Sequence, residues 1–174
     1  MKNDLITSID QNTRTITTSA VLSVGTMVMT LVHHLYGAVI YDEPFRLHVA
    51  IFAVPVILLL LSAYVGYKKV SNVGFKKIFL ATFLVASMLF SVAAIGLYEG
   101  GYNHVIKNIL YFAGISTETL DKIYPSVYEL PNDFVFELTG IAQFVMGLMC
   151  GMQILRVPAK QWLELSNATF RRNE

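Results

Sequence analysis

Charge is scarce in this sequence and cysteine is nearly absent. Only 14% of its 174 residues are Asp, Glu, Lys or Arg, against about a quarter in an average soluble domain. With 55% hydrophobic residues and a mean hydropathy of +0.55, this is a membrane composition, and the length allows one domain. Net charge is close to zero and the basic residues come in short clusters, so nothing points to nucleic acid. The one cysteine, Cys150, excludes an intramolecular disulfide and any CxxC or CxxCH chemistry. Set in an apolar run, it reads as a small buried side chain. No HExxH, ExxH or DxH spacing occurs, so a metal site would have to be assembled from separate helices. Internal repeats and low-complexity tracts are also missing.

Long apolar runs are present instead. Thr18 to Ile40 contains no Asp, Glu, Lys or Arg, and at 1.5 Å per residue it spans roughly 34 Å, enough for a bilayer core of about 30 Å. Leu47–Tyr67, Ile78–Tyr98 and Phe134–Leu155 complete a set of four spans. Pro55 lies inside the second and is expected to kink it, which membrane helices tolerate. Residues 1–17 are polar and the run after them is too long for an h-region, so the amino terminus does not read as a cleaved signal peptide. The expected fold is an all-α integral membrane protein, a four-helix transmembrane bundle with short interfacial helices between spans three and four.

The basic residues orient this bundle. Lys68, Lys69, Lys76 and Lys77 lie between spans two and three, Lys2 and Arg14 precede span one, and Arg156, Lys160, Arg171 and Arg172 follow span four. Ten of thirteen basic residues therefore share one side, leaving Arg46, Lys107 and Lys122 on the other. Both termini are expected in the cytoplasm, in a bacterial inner membrane. The tail 156–174, with Trp162, Leu163, Leu165 and Phe170 among charges, suits a helix on the membrane surface. The outer side holds eight of the twelve acids, for a formal charge of −5.

The chemistry-bearing residues gather on that outer side. His33 and His34 lie about 10 Å below the outer end of span one, and His48 opens span two. Tyr98-Glu99-Gly100-Gly101-Tyr102-Asn103-His104 closes span three, where the glycine pair predicts a break in the helix with a carboxylate and an imidazole on either side. Asn103 to Ala113 then reads as a short helix in the outer interface, closed by Gly114, and Ser116-Thr117-Glu118 as the start of a second. Tyrosines 98, 102, 111, 124 and 128 fit an interfacial belt. Asn132 or Asp133 caps span four. Glu137 sits one turn inside, on a face continued by Gly140, Phe144, Gly147 and Gly151. Small residues on such a stripe admit a closely packed helix, from this chain, a second copy or a partner membrane subunit. Glu137 is thus expected to face helices rather than lipid, and an acid at membrane depth defaults to a functional reading.

The candidate site is Glu99, His104 and Glu137 with His48, His34, His33 and Asp133. His33 and His34 diverge by about 100° on an α-helix, which aims only one of them inward. Asp133 reads as a helix cap sooner than as a ligand, and Asp42 and Glu43 as turn residues that cap span two or pair with Arg46. Imidazole and carboxylate without thiolate suit zinc, iron, manganese or copper. Several acids in one low-dielectric pocket also require a cation or shared protons. Three function classes follow: a metalloprotein acting as an oxidoreductase or metal-dependent hydrolase, a transporter component or accessory subunit with a proton- or ion-handling cluster, and a b-type haem or quinone-reactive anchor with two axial histidines.

Overall fold

The computed structural model describes residues 2–124 and 129–157 of the chain. The tail beyond residue 157, with its expected surface helix, and Tyr128 of the aromatic belt lie outside them. Five helices follow one another with no strand among the described residues: α1 (Lys2–Ile40), α2 (Leu47–Lys69), α3 (Val73–Phe112), α4 (Thr117–Ile123) and α5 (Phe134–Leu155). Four stretches, Thr13–Ile40, Pro44–Lys69, Val73–Phe112 and Phe134–Leu155, are long and apolar enough to cross a membrane. The protein is an all-α membrane bundle of four helices. Short connections make neighbours antiparallel. One end of the bundle carries Lys68, Lys69, Lys76 and Lys77 (the lysine end), and the other carries the histidines.

α1 is the hub, packing on α2, α3 and α5. Large apolar side chains such as Ile51, Phe52 and Leu58 on α2 remain exposed on the bundle's outside, as a lipid-facing surface requires. α2 runs unbroken through Pro55. A 3₁₀ turn, Pro44–Arg46, leads into it, and neither Asp42 nor Glu43 caps it. Glu43 instead pairs with Arg46 at 3.0 Å. The helix of α1 starts well before Thr18, taking in residues expected to form a polar tail.

The main departure from expectation is α3. No break occurs at Gly100-Gly101, and the segment expected as a separate interfacial helix is the continuation of α3. The helix runs on to Phe112, and Gly114, with a φ of +84°, lies just past its end. Of the two short helices expected here, only α4 stands apart, with Ser116 accepting from the Thr119 amide. The glycine pair serves close packing instead. A Cβ on Gly100 would run into the backbone of Phe144 and Gly140 on α5, and one on Gly101 would meet the Phe144 ring at 3.0 Å. Further along the same seam, a Cβ on Gly96 would stand 2.8 Å from the Gly147 Cα. The Gly140, Gly147 and Gly151 stripe is therefore filled by α3 of the same chain. Of the three occupants expected for it, the helix from this chain is the one seen there.

From Ser87 to Ile106 the turns of α3 widen to π-type, i→i+5 hydrogen bonding. Its buried positions recur every four residues: Ser87, Ser91, Ile95, Glu99 and Asn103, and beside them Val92, Gly96, Gly100 and His104. On an α-helix such a repeat would rotate by about 40° per step and leave the interface. The wider turn keeps it facing α1 and α5 throughout.

Candidate metal centre

The same widening builds the site. Residues five apart on an α-helix point about 140° away from each other, and the wider turns of this stretch narrow that angle. Glu99 and His104 thus face the same interior space. Asn103 donates from Nδ2 to Glu99 Oε2 at 2.8 Å, which leaves Oε1 as the carboxylate's inward oxygen.

Three imidazoles converge on that oxygen. Glu99 Oε1 lies 3.8 Å from His33 Nε2, 3.5 Å from His34 Nε2 and 3.8 Å from His104 Nε2. All four residues are buried. Both histidines of the pair face inward, contrary to expectation, because α1 is packed by neighbours across an arc wide enough to enclose two adjacent positions. Their rings stand edge to face at 5.1 Å, and His33 and His104 do so at 4.7 Å.

The far side of two rings is held. Thr139 Oγ1 lies 2.9 Å from the carbonyls of Val135 and Phe136, to which its one proton goes. His33 Nδ1, at 2.8 Å, must then donate to Thr139, so the lone pair of His33 is on Nε2, facing Glu99. His104 Nδ1 lies 2.7 Å from Glu137 Oε2, and a carboxylate there accepts, which turns the second lone pair inward too. Glu137 is therefore behind His104 rather than among the inward-facing atoms. Lys107, also buried, meets Glu137 Oε1 at 3.2 Å and donates to the Glu129 carbonyl. Phe136 stacks on His33 at 4.1 Å, and the buried Arg46 lies over Phe136 and Tyr41. Burial, with the carboxylates of Asp133, Glu137 and Glu129 near it, pushes the Tyr41 hydroxyl above its usual range. That hydroxyl donates to Asn132 at 2.7 Å.

Two candidates are elsewhere. His48 is exposed at the start of α2, its Nδ1 on the Phe45 carbonyl and its ring against Phe45. Asp133 is the cap of α5, accepting from the Phe136 amide at 2.7 Å and from the Tyr36 hydroxyl. Sequence reasoning overlooked Asn103, Lys107 and Thr139. A span three extended past the glycines would have exposed Lys107 as a cation at membrane depth, and Asn103 as the i+4 neighbour of Glu99.

His33, Glu99 and His104 each offer one ligand atom within 4.8 Å of the others. Ligands about 2.0–2.1 Å from a tetrahedral ion stand some 3.3–3.4 Å apart. The 3.8 Å spacings of His33 and His104 from Glu99 Oε1 are open versions of that figure, and His34, 3.5 Å from the same oxygen, stands outside this three-residue group. The fold and this cluster define the class: a four-helix membrane bundle with a buried histidine–glutamate centre near one end. No protein-family model, curated protein or solved structure matches the chain.

Proposed function

We propose that this protein is a membrane metalloprotein, with His33, His104 and Glu99 holding one transition metal ion and His34 beside them against Glu99. The observation that carries the reading is the convergence of three imidazole Nε2 atoms on one carboxylate oxygen, with the tautomers of His33 and His104 fixed by Thr139 and Glu137. Outer partners of that kind orient metal-binding imidazoles and raise their basicity. The alternative use of a buried histidine is to satisfy both ring nitrogens within the protein. His33 Nε2 and both nitrogens of His34 have no hydrogen-bond partner among the described residues. A metal removes that cost and balances the carboxylate.

Imidazole nitrogens with one carboxylate oxygen favour zinc, iron or copper, with manganese less suited. Bound there, such an ion supplies Lewis acidity or, for iron and copper, electron transfer, in keeping with a hydrolase or an oxidoreductase. An axial haem pair is disfavoured by packing: imidazoles edge to face at 4.7 Å leave no room for a macrocycle between them. The polar chain Lys107–Glu137–His104–Glu99 supports a second reading, a proton- or ion-handling cluster in a transporter component. The basic asymmetry supports a histidine end outside a bacterial inner membrane, with both termini in the cytoplasm.

The test is elemental analysis of protein purified in mild detergent, with an optical spectrum. Stoichiometric transition metal without a Soret band supports the centre. Metal-free protein that takes up neither zinc nor copper nor iron overturns it in favour of the proton- or ion-handling cluster.

A further inference from the structure

The bundle interior between this centre and the lysine end is unusually polar. α1 carries Ser19, Ser23, Thr26, Thr30 and His33 at steps of three or four residues, all fully buried. Such steps keep side chains on one face. α3 adds Ser87 and Ser91, and α5 adds Gln143, again fully buried. Three of the hydroxyls meet across the α1–α3 contact, Ser23 Oγ lying 3.0 Å from Ser87 Oγ and 2.7 Å from Ser91 Oγ.

Buried Ser and Thr on membrane helices are ordinarily satisfied by their own helix, and they permit close packing. Ser19 and Thr26 conform, each donating to the carbonyl four residues back. The next level does not. Thr30 Oγ1 and both Gln143 Oε1 and Nε2 have no partner among the described residues. Gln143 lies on the α5 face that meets α1: Thr139, one turn away, holds His33, while Met146 and Cys150 on the other side lie against Gly25 and Ser19. A buried amide and hydroxyl left unsatisfied carry a large desolvation cost. Water making two to four hydrogen bonds removes it. This level sits between the serine cluster and His33.

We propose that these groups form a proton path from the lysine end toward the metal-centre level: Ser19, the Ser23–Ser87–Ser91 cluster, then Thr26, Thr30 and Gln143 with water between them. A hydroxyl or water accepts a proton on its oxygen while releasing its own, so each member is regenerated once it reorients. No charged side chain is needed, which agrees with the lack of acid or histidine on α1 from Thr15 to Val32, on α3 from Ile78 to Tyr98 and on α5 from Leu138 to Leu155. Gln143 anchors water by donating and accepting and is not itself a relay. From Ser19 to His33 the rise is roughly 21 Å at 1.5 Å per residue. At the far end, a mostly apolar pocket of about 410 Å³, with Asn108, Asn132, Asp133 and Glu137 in its lining, opens beside the site. The path goes beyond the metal reading and does not require it.

The test uses proteoliposomes of the full chain loaded with a pH-sensitive dye, with proton movement driven by a potassium gradient and valinomycin. Wild type should dissipate the gradient faster than protein-free vesicles. Thr30→Val, which exchanges an unpartnered hydroxyl for a methyl, and Gln143→Leu should each lower the flux tenfold or more. Both should retain wild-type thermal stability in detergent and wild-type metal content, which separates a blocked path from misfolding or a damaged centre. Ser91→Ala, a smaller change, should slow flux in the same way. A wild type that binds no metal yet conducts would leave the path standing while the metal reading fell. Wild-type flux equal to that of empty vesicles, or Thr30→Val and Gln143→Leu conducting as wild type, would overturn the path.

Discussion

Glu137 Oε2 lies 2.7 Å from His104 Nδ1, while the opposite nitrogen of the same ring faces Glu99 Oε1 at 3.8 Å. One histidine thus links two buried carboxylates, and the link fixes which of its nitrogens is free for a ligand. Glu137→Gln keeps the volume and a hydrogen-bonding oxygen but weakens this orientation. Metal affinity should fall about 10–100-fold, the usual effect of losing such a partner, with the bundle still folded. Competition titration against a chelator of known affinity measures it. Unchanged affinity would remove Glu137 from the site's machinery.

Replacing the inward atoms themselves has a larger effect. Glu99→Gln and His104→Ala should leave purified protein without stoichiometric metal. His48→Ala should keep full occupancy, because His48 is exposed and bonded to its own turn. Elemental analysis of the three variants side by side checks this, and metal loss in His48→Ala would redraw the site.

Acid should release the metal. Protons compete with the ion for the Nε2 lone pairs and for Glu99, so occupancy should fall as pH drops and recover on neutralisation with metal present. The loss should come at higher pH in Glu137→Gln, where the ion is held less tightly. Occupancy independent of pH down to protein unfolding would contradict histidine ligation.

The seam between α3 and α5 predicts stability. Gly147→Leu would force side-chain volume against the Gly96 backbone and should cost at least ~1–3 kcal/mol, the usual penalty for overpacking. Thermal unfolding in detergent should register it, whereas Leu148→Ala, at a more exposed position of the same helix, should have a smaller effect. Equal stability for Gly147→Leu and wild type would mean the helices do not approach so closely.

Orientation is open to labelling. With Cys150 buried, single cysteines at exposed Ser71 and Thr117 should react with an impermeant maleimide from opposite sides. Thr117→Cys should be labelled in intact cells and Ser71→Cys only after the inner face is opened. The reverse pattern would turn the centre toward the cytoplasm.

The one-dimensional pattern was enough for the bundle itself. Uncharged runs of span length occur four times, and a bilayer leaves a helix as the simplest way to satisfy their backbones. It also placed Asp133 as a cap, Ser116 at the start of a short helix, Gly114 at a helix end and the Gly140–Gly151 stripe against another helix, because each depends on residues a few positions apart. The level at which histidines and acids collect followed from span boundaries alone.

The membership of the site depended on the tertiary structure. Periodicity reasoning assumes 3.6 residues per turn, which aimed His33 and His34 in different directions, and the glycine pair read locally as a break between Glu99 and His104. Packing against α1 and α5 holds α3 in wider turns that no local signal announces, and α1's central position encloses two neighbouring side chains at once. Glycines that locally resemble a break are close-packing surfaces once a partner backbone lies 2.8 Å from where a Cβ would stand. Whether a lysine at position 107 is a solvated charge or a buried partner of Glu137 likewise depends on which helix passes beside it, a fact set by three-dimensional proximity and not by sequence neighbours.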